Sequence, residues 1–312
     1  MSASILVAGS SNTDMVVRTP TLPQPGETVL GGQFLLNPGG KGANQAVAAA
    51  RLGATVTFLA RVGDDIFGEQ ALEQLKKERI DTRYVLPTAH KASGIALITV
   101  DDKGENTIAV APGANAHLSA TDMEAAREAI HQAGIVLTQL EIPLATVEKL
   151  TQLAQEAGKR VILNPAPARD LPDSLLEQLF VITPNEMEAA MLTGIPVTDL
   201  ASAERAARAL SARGTPFVII TLGKSGALLW DGATATHLPA PQVEAIDTTA
   251  AGDVFNGALA VGLDEGMSLA EAALFANHAA ALSVTRRGAQ SAAPTHAETA
   301  AFIEKHQPTP HP

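Results

Sequence analysis

The sequence has no cysteine, which excludes disulfides and thiolate chemistry and fits a reducing cytoplasm. Aromatic residues make up only 3% of it, too few for an aromatic-rich β sandwich, whereas 46% hydrophobic content, dominated by alanine and leucine, suits helices packed on a sheet. No apolar run approaches the roughly 18 residues that a membrane span needs. The start, Met1 to Gly9, lacks a basic leader region and reads as a first strand. Basic residues are in deficit, 22 Lys and Arg against 33 Asp and Glu, and the net charge of -11 argues against a general binder of nucleic acid or anionic membrane. A nucleotide site stays open, because local amides and a few cations are enough to hold phosphate. The eight histidines show no metal-ligand spacing. The expectation is a soluble cytoplasmic globule of 312 residues, above the usual size of one domain but within reach of a single large α/β unit.

What is present is a run of strands, each ending in polar or glycine residues. Ile5–Ala8 is followed by Asn12 and Asp14, which either hydrogen-bond ligand hydroxyls or close an Asx turn. Residues 15 to 37 carry Pro and Gly among β-type residues and suit a protruding flap. Gly39-Gly40-Lys41-Gly42-Ala43-Asn44 then opens an alanine-rich helix that ends at Gly53. Its glycines let backbone approach a ligand, and Lys41 and Asn44 supply donors. Neither a Walker A loop nor a dinucleotide fingerprint is present there; Gly223-Lys224-Ser225 imitates the end of a Walker A loop, but Val218 stands where its first glycine belongs. Residues 94–100 and 106–110 read as a hairpin pairing with the flap as a lid over about 13–38 and 93–112. From Ala120 the period is α/β: helices 120–132, 144–157, 172–179 and 200–213 alternate with strands 135–140, 160–163, 180–183 and 217–221. A further hairpin covers Leu228 to His237, residues 241–246 read as strand and hinge, and Pro308, Pro310 and Pro312 suggest a frayed tail. One sheet edge thereby collects Asn12, Glu141, Asn185, Thr221 and Asp253. Flat lid strands with exposed edges predict a homodimer in which two lids pair.

The stretch Asp247-Thr248-Thr249-Ala250-Ala251-Gly252-Asp253 leads into an apolar helical pattern. A small-residue turn opening a helix leaves backbone N–H groups pointing outward as an anion site, aided by the helix dipole. Asp253 at its mouth is either a first-turn acid complementing the dipole or a base placed to take a proton while the adjacent amides of Ala250, Ala251 and Gly252 hold a developing anion.

Residues 39–44 together with 247–253 resemble the ribokinase/PfkB family of carbohydrate kinases. Thr183-Pro184-Asn185-Glu186-Met187-Glu188 is similar to that family's Asn-x-x-Glu motif, and Ser10–Asp14, Gln139–Glu141, Asn164–Arg169 and Arg287–Gln290 extend the resemblance over roughly residues 4 to 305. It implies a three-layer α/β sandwich with a mainly parallel central sheet and a small β lid. It also implies ATP-dependent phosphorylation of a sugar, D-ribose at O5, with 2-deoxyribose, fructose or adenosine as rival substrates and a non-catalytic sugar- or nucleotide-binding regulator as the alternative of another class. By the same resemblance Asp253 is the base, and Asn12, Asp14, Gly40, Lys41, Gly42, Asn44, Glu141 and Asp253 hold the sugar. Thr221, Gly223, Lys224, Gly226, Gly252 and Asn277 line the nucleotide, and Asn185 and Glu188 orient Mg2+ and phosphates through water. Asp247, Thr249, Ser283, Arg286, Gly288 and Ala292 match a potassium site beside the anion hole.

Overall fold

The first strand, Ser4–Ala8, divides its side chains between two cores: Ile5 and Val7 pack on one side, Leu6 and Ala8 on the other. An extended chain alternates in this way, and a strand apolar on both faces requires cover on both. The computed structural model describes residues 4–306, so the three tail prolines lie outside the described residues. In chain order the strands are β1 (Ser4–Ala8), β2 (Asn12–Arg18), β3 (Phe34–Gly39), β4 (Thr55–Gly63), β5 (Asp81–Thr88), β6 (Gly94–Val100) and β7 (Asn106–Ala111). They continue as β8 (Ile135–Thr138), β9 (Arg160–Leu163), β10 (Val181–Ile182), β11 (Phe217–Thr221), β12 (Ala227–Trp230) and β13 (Ala235–Leu238). The helices are α1 (Lys41–Arg51), α2 (Ile66–Lys77), α3 (Ala120–Ala125), α4 (Arg127–Gln132), α5 (Leu144–Glu156) and α6 (Asp173–Leu176). After them come α7 (Glu186–Thr193), α8 (Leu200–Ala212), α9 (Ala251–Asp264), α10 (Leu269–Ser283) and α11 (His296–His306).

Nine strands form the large sheet in the order β13-β12-β11-β10-β9-β8-β1-β4-β5. All neighbours from β11 through β5 are parallel, and β12 and β13 add an antiparallel edge. Residues of α1, α9 and α10 fill one core, and those of α3, α4, α5 and α8 fill the other, giving three layers. β1 pairs with β4 on one flank and β8 on the other, so the strand order reverses there and a crevice opens outside its carboxyl end. The chain leaves β1 at that crevice and enters the small sheet, ordered β3-β2-β6-β7, as β2. Register gives the small sheet two distinct faces. Asp14 stands opposite Asn37 and Ala96, while Met15 stands opposite Leu36 and Leu97 on the other face.

Several boundaries differ from those read in the sequence. The helix expected over 120–132 divides at Ala126, whose N–H bonds both Asp122 O and Met123 O in a local 3-10 tightening that no Gly or Pro announces. The expected helix 172–179 is reduced to α6, and strand 135–140 ends at Thr138 because Leu140 N turns to Ala166 O. Strand 180–183 shortens to Val181–Ile182, although Phe180 N and Thr183 N continue its ladder to Val161 O and Leu163 O. Residues 241–246 form no strand: Ile246 N and Asp247 N both bond Val284 O just past α10, and Pro241 has no N–H to give. Strand β5 was not foreseen. It is an edge strand with only Val85 buried, and there Pro87 is tolerated and alternation is weak.

Candidate active site

Two close approaches bring α1 against the end of β1. Gly40 adopts φ +88°, and a Cβ on Gly42 would stand 2.6 Å from Gly9 C and Ser10 N, so only glycine lets the helix start that near. Its first amide is then capped from an unexpected direction. Lys41 N donates to Glu141 Oε2 at 3.0 Å, and Ser10 Oγ donates to the same oxygen at 2.5 Å. Glu141, expected as a ligand group, thus sits at the site and also closes the α1 N-terminus, where a negative charge is favoured.

The second helix start lies opposite. Ala250 is left-handed, at φ 59°, and turns the chain into α9. Ala251 N donates to Thr248 O at 3.2 Å, so that amide is occupied within the turn, whereas the amides of Gly252 and Asp253 have no protein partner among the described residues. Asp253 is buried, with Asn44 Nδ2 donating to its Oδ2 and Gln45 Nε2 to its Oδ1, each at 3.0 Å. Burial pushes this carboxyl up, against the pull of Lys41 and of those two amide donors. Asp14 is raised to about 6, first by burial and then by Glu141 and Asp253, with Lys41 opposing. Burial alone would lower Lys41, but Asp253, Glu141, Glu188 and Asp14 outweigh it and hold the ammonium charged. Glu188 is raised by burial, with the Asn185 amide and Lys41 opposing.

Asn12 is fixed by a residue the sequence reading missed: Asn115 Nδ2 donates to Asn12 Oδ1 at 2.7 Å, which turns the Asn12 NH2 group elsewhere. Asn44 Oδ1 is buried and has no partner among the described residues, although its Nδ2 is occupied by Asp253. Gln45, Gln139, Asn164, Thr183 and Asn256 were also missed; a glutamine amid the alanines of α1 was the available signal. On the far side, Asn185 and Thr221 form a bridge between the ends of β10 and β11. Asn185 and Glu188 cap α7 reciprocally. Gly223, Lys224 and Gly226 form the tight turn after β11, and Asn277 Nδ2 donates to Leu238 O at 2.9 Å. Asp247 accepts from Gly288 N and from Thr249, and Arg286 N bonds Ser283 O; Ala292 follows in the next turn, and Arg286 also pairs with Glu298. Asp247 is held low: burial opposes, but the Thr249 and Gly288 donors prevail. A cleft of about 790 Å³ separates the small sheet, at Asp14 and Asn37, from Asp247, Thr249 and Gly288.

Chemically the crevice offers a buried carboxyl, the amides of Ala250, Gly252 and Asp253 without a protein partner among the described residues, the Lys41 ammonium and a shell of polyol-sized hydrogen-bonding groups. Residues 2–296 match the pfkB family carbohydrate kinases. The ribokinase of Haemophilus influenzae is 44% identical over 304 residues, covering 97% of this chain and 99% of its own. The deoxyribokinase of Salmonella typhi is 39% identical over 296 residues, covering 93% and 95%. In three dimensions the chain resembles Arabidopsis thaliana ribokinase complexed with ribose and ATP, with a TM-score of 0.89, 32% identity, and coverage of 97% of this chain and 99% of that one.

Proposed function

The chain belongs to the pfkB family of carbohydrate kinases, and from that premise we propose that it transfers the γ-phosphoryl group of ATP to O5 of D-ribose, giving D-ribose 5-phosphate and ADP. The observation that carries this reading is Asp253, a buried carboxylate beside the open amides of Gly252 and its own N–H. Asp253 takes the O5 proton as the O5–P bond forms and the bond from the γ-phosphorus to the bridging oxygen breaks, with ADP leaving. Charge on the phosphoryl oxygens meets those amides, the α9 dipole and Lys41. Asn12, Asp14, the 40–44 turn, Glu141 and the vacant acceptor of Asn44 hold the sugar hydroxyls. Thr221, Gly223, Lys224, Gly226 and Asn277 line the nucleotide.

No cluster of three or more His, Asp or Glu placed to hold a metal occurs among the described residues, a donor set that suits Mg2+ carried by phosphates and water, with Asn185 and Glu188 orienting that shell. The ionised Asp247 and the backbone turns at Thr249, Ser283, Arg286, Gly288 and Ala292 suit a potassium ion, which would supply positive charge behind the anion hole. The small sheet acts as a lid on one α/β domain. Its outer face exposes Phe34 (57%), Leu36 (50%) and Leu97 (56%), and we assign that face to a homodimer. Light scattering that returns the 32.2 kDa monomer at working concentration would refute it.

The rival substrate is 2-deoxyribose, favoured by the Salmonella relative, and buried polar groups that pair with the 2-hydroxyl would discriminate strongly. The test is ADP release from MgATP with D-ribose, 2-deoxyribose, fructose, adenosine or no sugar, each with and without potassium. Ribose-dependent turnover that rises with potassium is expected. Preference for another sugar overturns the specificity, and no turnover with any brings forward a non-catalytic binder.

Asp14 adds a pH dependence. Ionised, its carboxylate is a stronger, charge-assisted acceptor of sugar hydroxyls than the neutral acid, so the KM for sugar should rise as pH falls through about 6. The stability sign is opposite. The folded state holds this proton more tightly than the unfolded chain, so on this account stability rises as pH falls from about 6 toward the ordinary value of 3.8. A sugar KM that stays flat from pH 7.5 to 5.5 would count against Asp14 as a ligand group.

A further inference from the structure

A chain of buried amides runs through the core beneath the site. Gln139 Nε2 donates to Gln45 Oε1 at 2.6 Å, which leaves both Gln45 N–H groups to donate, one to Asn164 Oδ1 at 3.1 Å and one to Asp253 Oδ1 at 3.0 Å. With its oxygen occupied, Asn164 donates through Nδ2 to Thr183 O at 3.3 Å. The Thr183 hydroxyl donates to Asn256 Oδ1 at 2.6 Å, and Asn256 Nδ2 donates to Gly252 O at 2.8 Å. Gln45 is 0% exposed and Asn256 1%, a depth at which polar groups are costly unless paired; Gln139 is equally buried, and its Oε1 has no partner among the described residues. Each amide can take only one orientation, because its neighbour has already fixed which end must accept.

The two ends of this chain meet in one residue. Gln45 grips the Asp253 carboxylate. Asn256 grips Gly252 O, and that carbonyl belongs to the same rigid peptide unit as the Asp253 N–H, on its opposite side. We propose that Gln45 and Asn256 are positioning residues which, through this chain, set the Asp253 carboxylate and the Asp253 amide of the anion hole in fixed mutual register. The proposal rests on Asp253 being the base. It explains why α1, whose buried side is alanine and valine from Ala46 to Ala49, keeps a fully buried glutamine just before them.

The test uses Gln45→Met, which keeps length and loses the donors, and Thr183→Val, which loses only a hydroxyl. The groups facing Asp253 are Lys41 at the start of α1, Glu141 after β8, Asp14 on β2 and Glu188 on α7. All four stay in place in both variants. Gln45→Met should lower kcat about 10–100-fold with little change in sugar KM, and should move the acid limb of the kcat profile to higher pH, because a donor to the carboxylate is gone. Thr183→Val should lower kcat and leave that limb in place, since it acts on the amide alone. In an Asp253→Asn background, Gln45→Met should cost no more than about twofold further, since residues acting through one group are not additive. Multiplying losses in that background, or wild-type kcat in both single variants, overturns the proposal. Full turnover in Asp253→Asn alone would instead remove the base assignment on which it rests.

Discussion

Asp253→Asn should reduce turnover by about 10²–10⁴-fold, the range typical of a lost general base, while sugar and ATP still bind. The change is nearly isosteric, so the pocket keeps its shape. What it removes is the acceptor for the O5 proton. Residual turnover would come from the Gly252 and Asp253 amides and from the alignment of sugar with phosphate, since phosphoryl transfer depends chiefly on positioning and charge stabilisation. One rearrangement is expected. Asn44 Nδ2 and Gln45 Nε2 both donate to the carboxylate, so an amide placed there turns its NH2 toward one of them and that donor must find another acceptor. Calorimetric titration with ribose, run beside ADP release, separates the two effects: retained binding with lost turnover is the expected pair. Turnover at the wild-type rate would end the base assignment.

Lys41→Met should have the next largest effect, about 10²–10³-fold in kcat, the range seen when one group stabilising a transition-state charge is deleted. Lys41 faces Asp253, Glu141, Glu188 and Asp14 and pulls down the carboxyls of Asp14, Glu188 and Asp253, each already raised by burial. Without it the site loses its counter-charge to those acids and a partner for the transferring phosphoryl group. Asp253 should then take up a proton at higher pH, so the acid limb of kcat should move upward as the plateau falls. A profile from pH 5.5 to 9 checks both effects. An unmoved limb with an undiminished plateau would exclude Lys41 from the chemistry.

The features legible in the sequence were those that repeat or that glycine marks. The parallel strands announced themselves by apolar runs ending in polar residues, and α1 by Gly40 and Gly53 at its ends, both with positive φ. Asn12, Asp14, Glu141 and Asp253 stand out as candidates for the same reason, since they follow strands or open helices. Edge strand β5 and the break at Ala126 were not, because neither leaves a periodic or conformational mark. Nor was the amide chain. Gln45, Asn164, Thr183 and Asn256 are scattered over more than two hundred residues, and only the fold makes them neighbours. Likewise, nothing local to Glu141 indicates that its carboxylate caps a helix one hundred residues earlier.

The position of β1 inside the large sheet, between β8 and β4, also sets a schedule for synthesis. Ile5 pairs with Ile135, so one flank of the first strand waits 130 residues for its partner, roughly 7 to 26 s at ordinary ribosomal speeds of about 5–20 residues per second. Over that interval β1 has an open hydrogen-bonding edge inside an apolar nascent chain, the state most prone to pairing with a neighbour on the same polysome. Chaperone engagement should therefore concentrate on nascent chains between the emergence of β1 and that of β8. Crowded translation at elevated temperature should lose protein at this stage, long before α9 has left the tunnel.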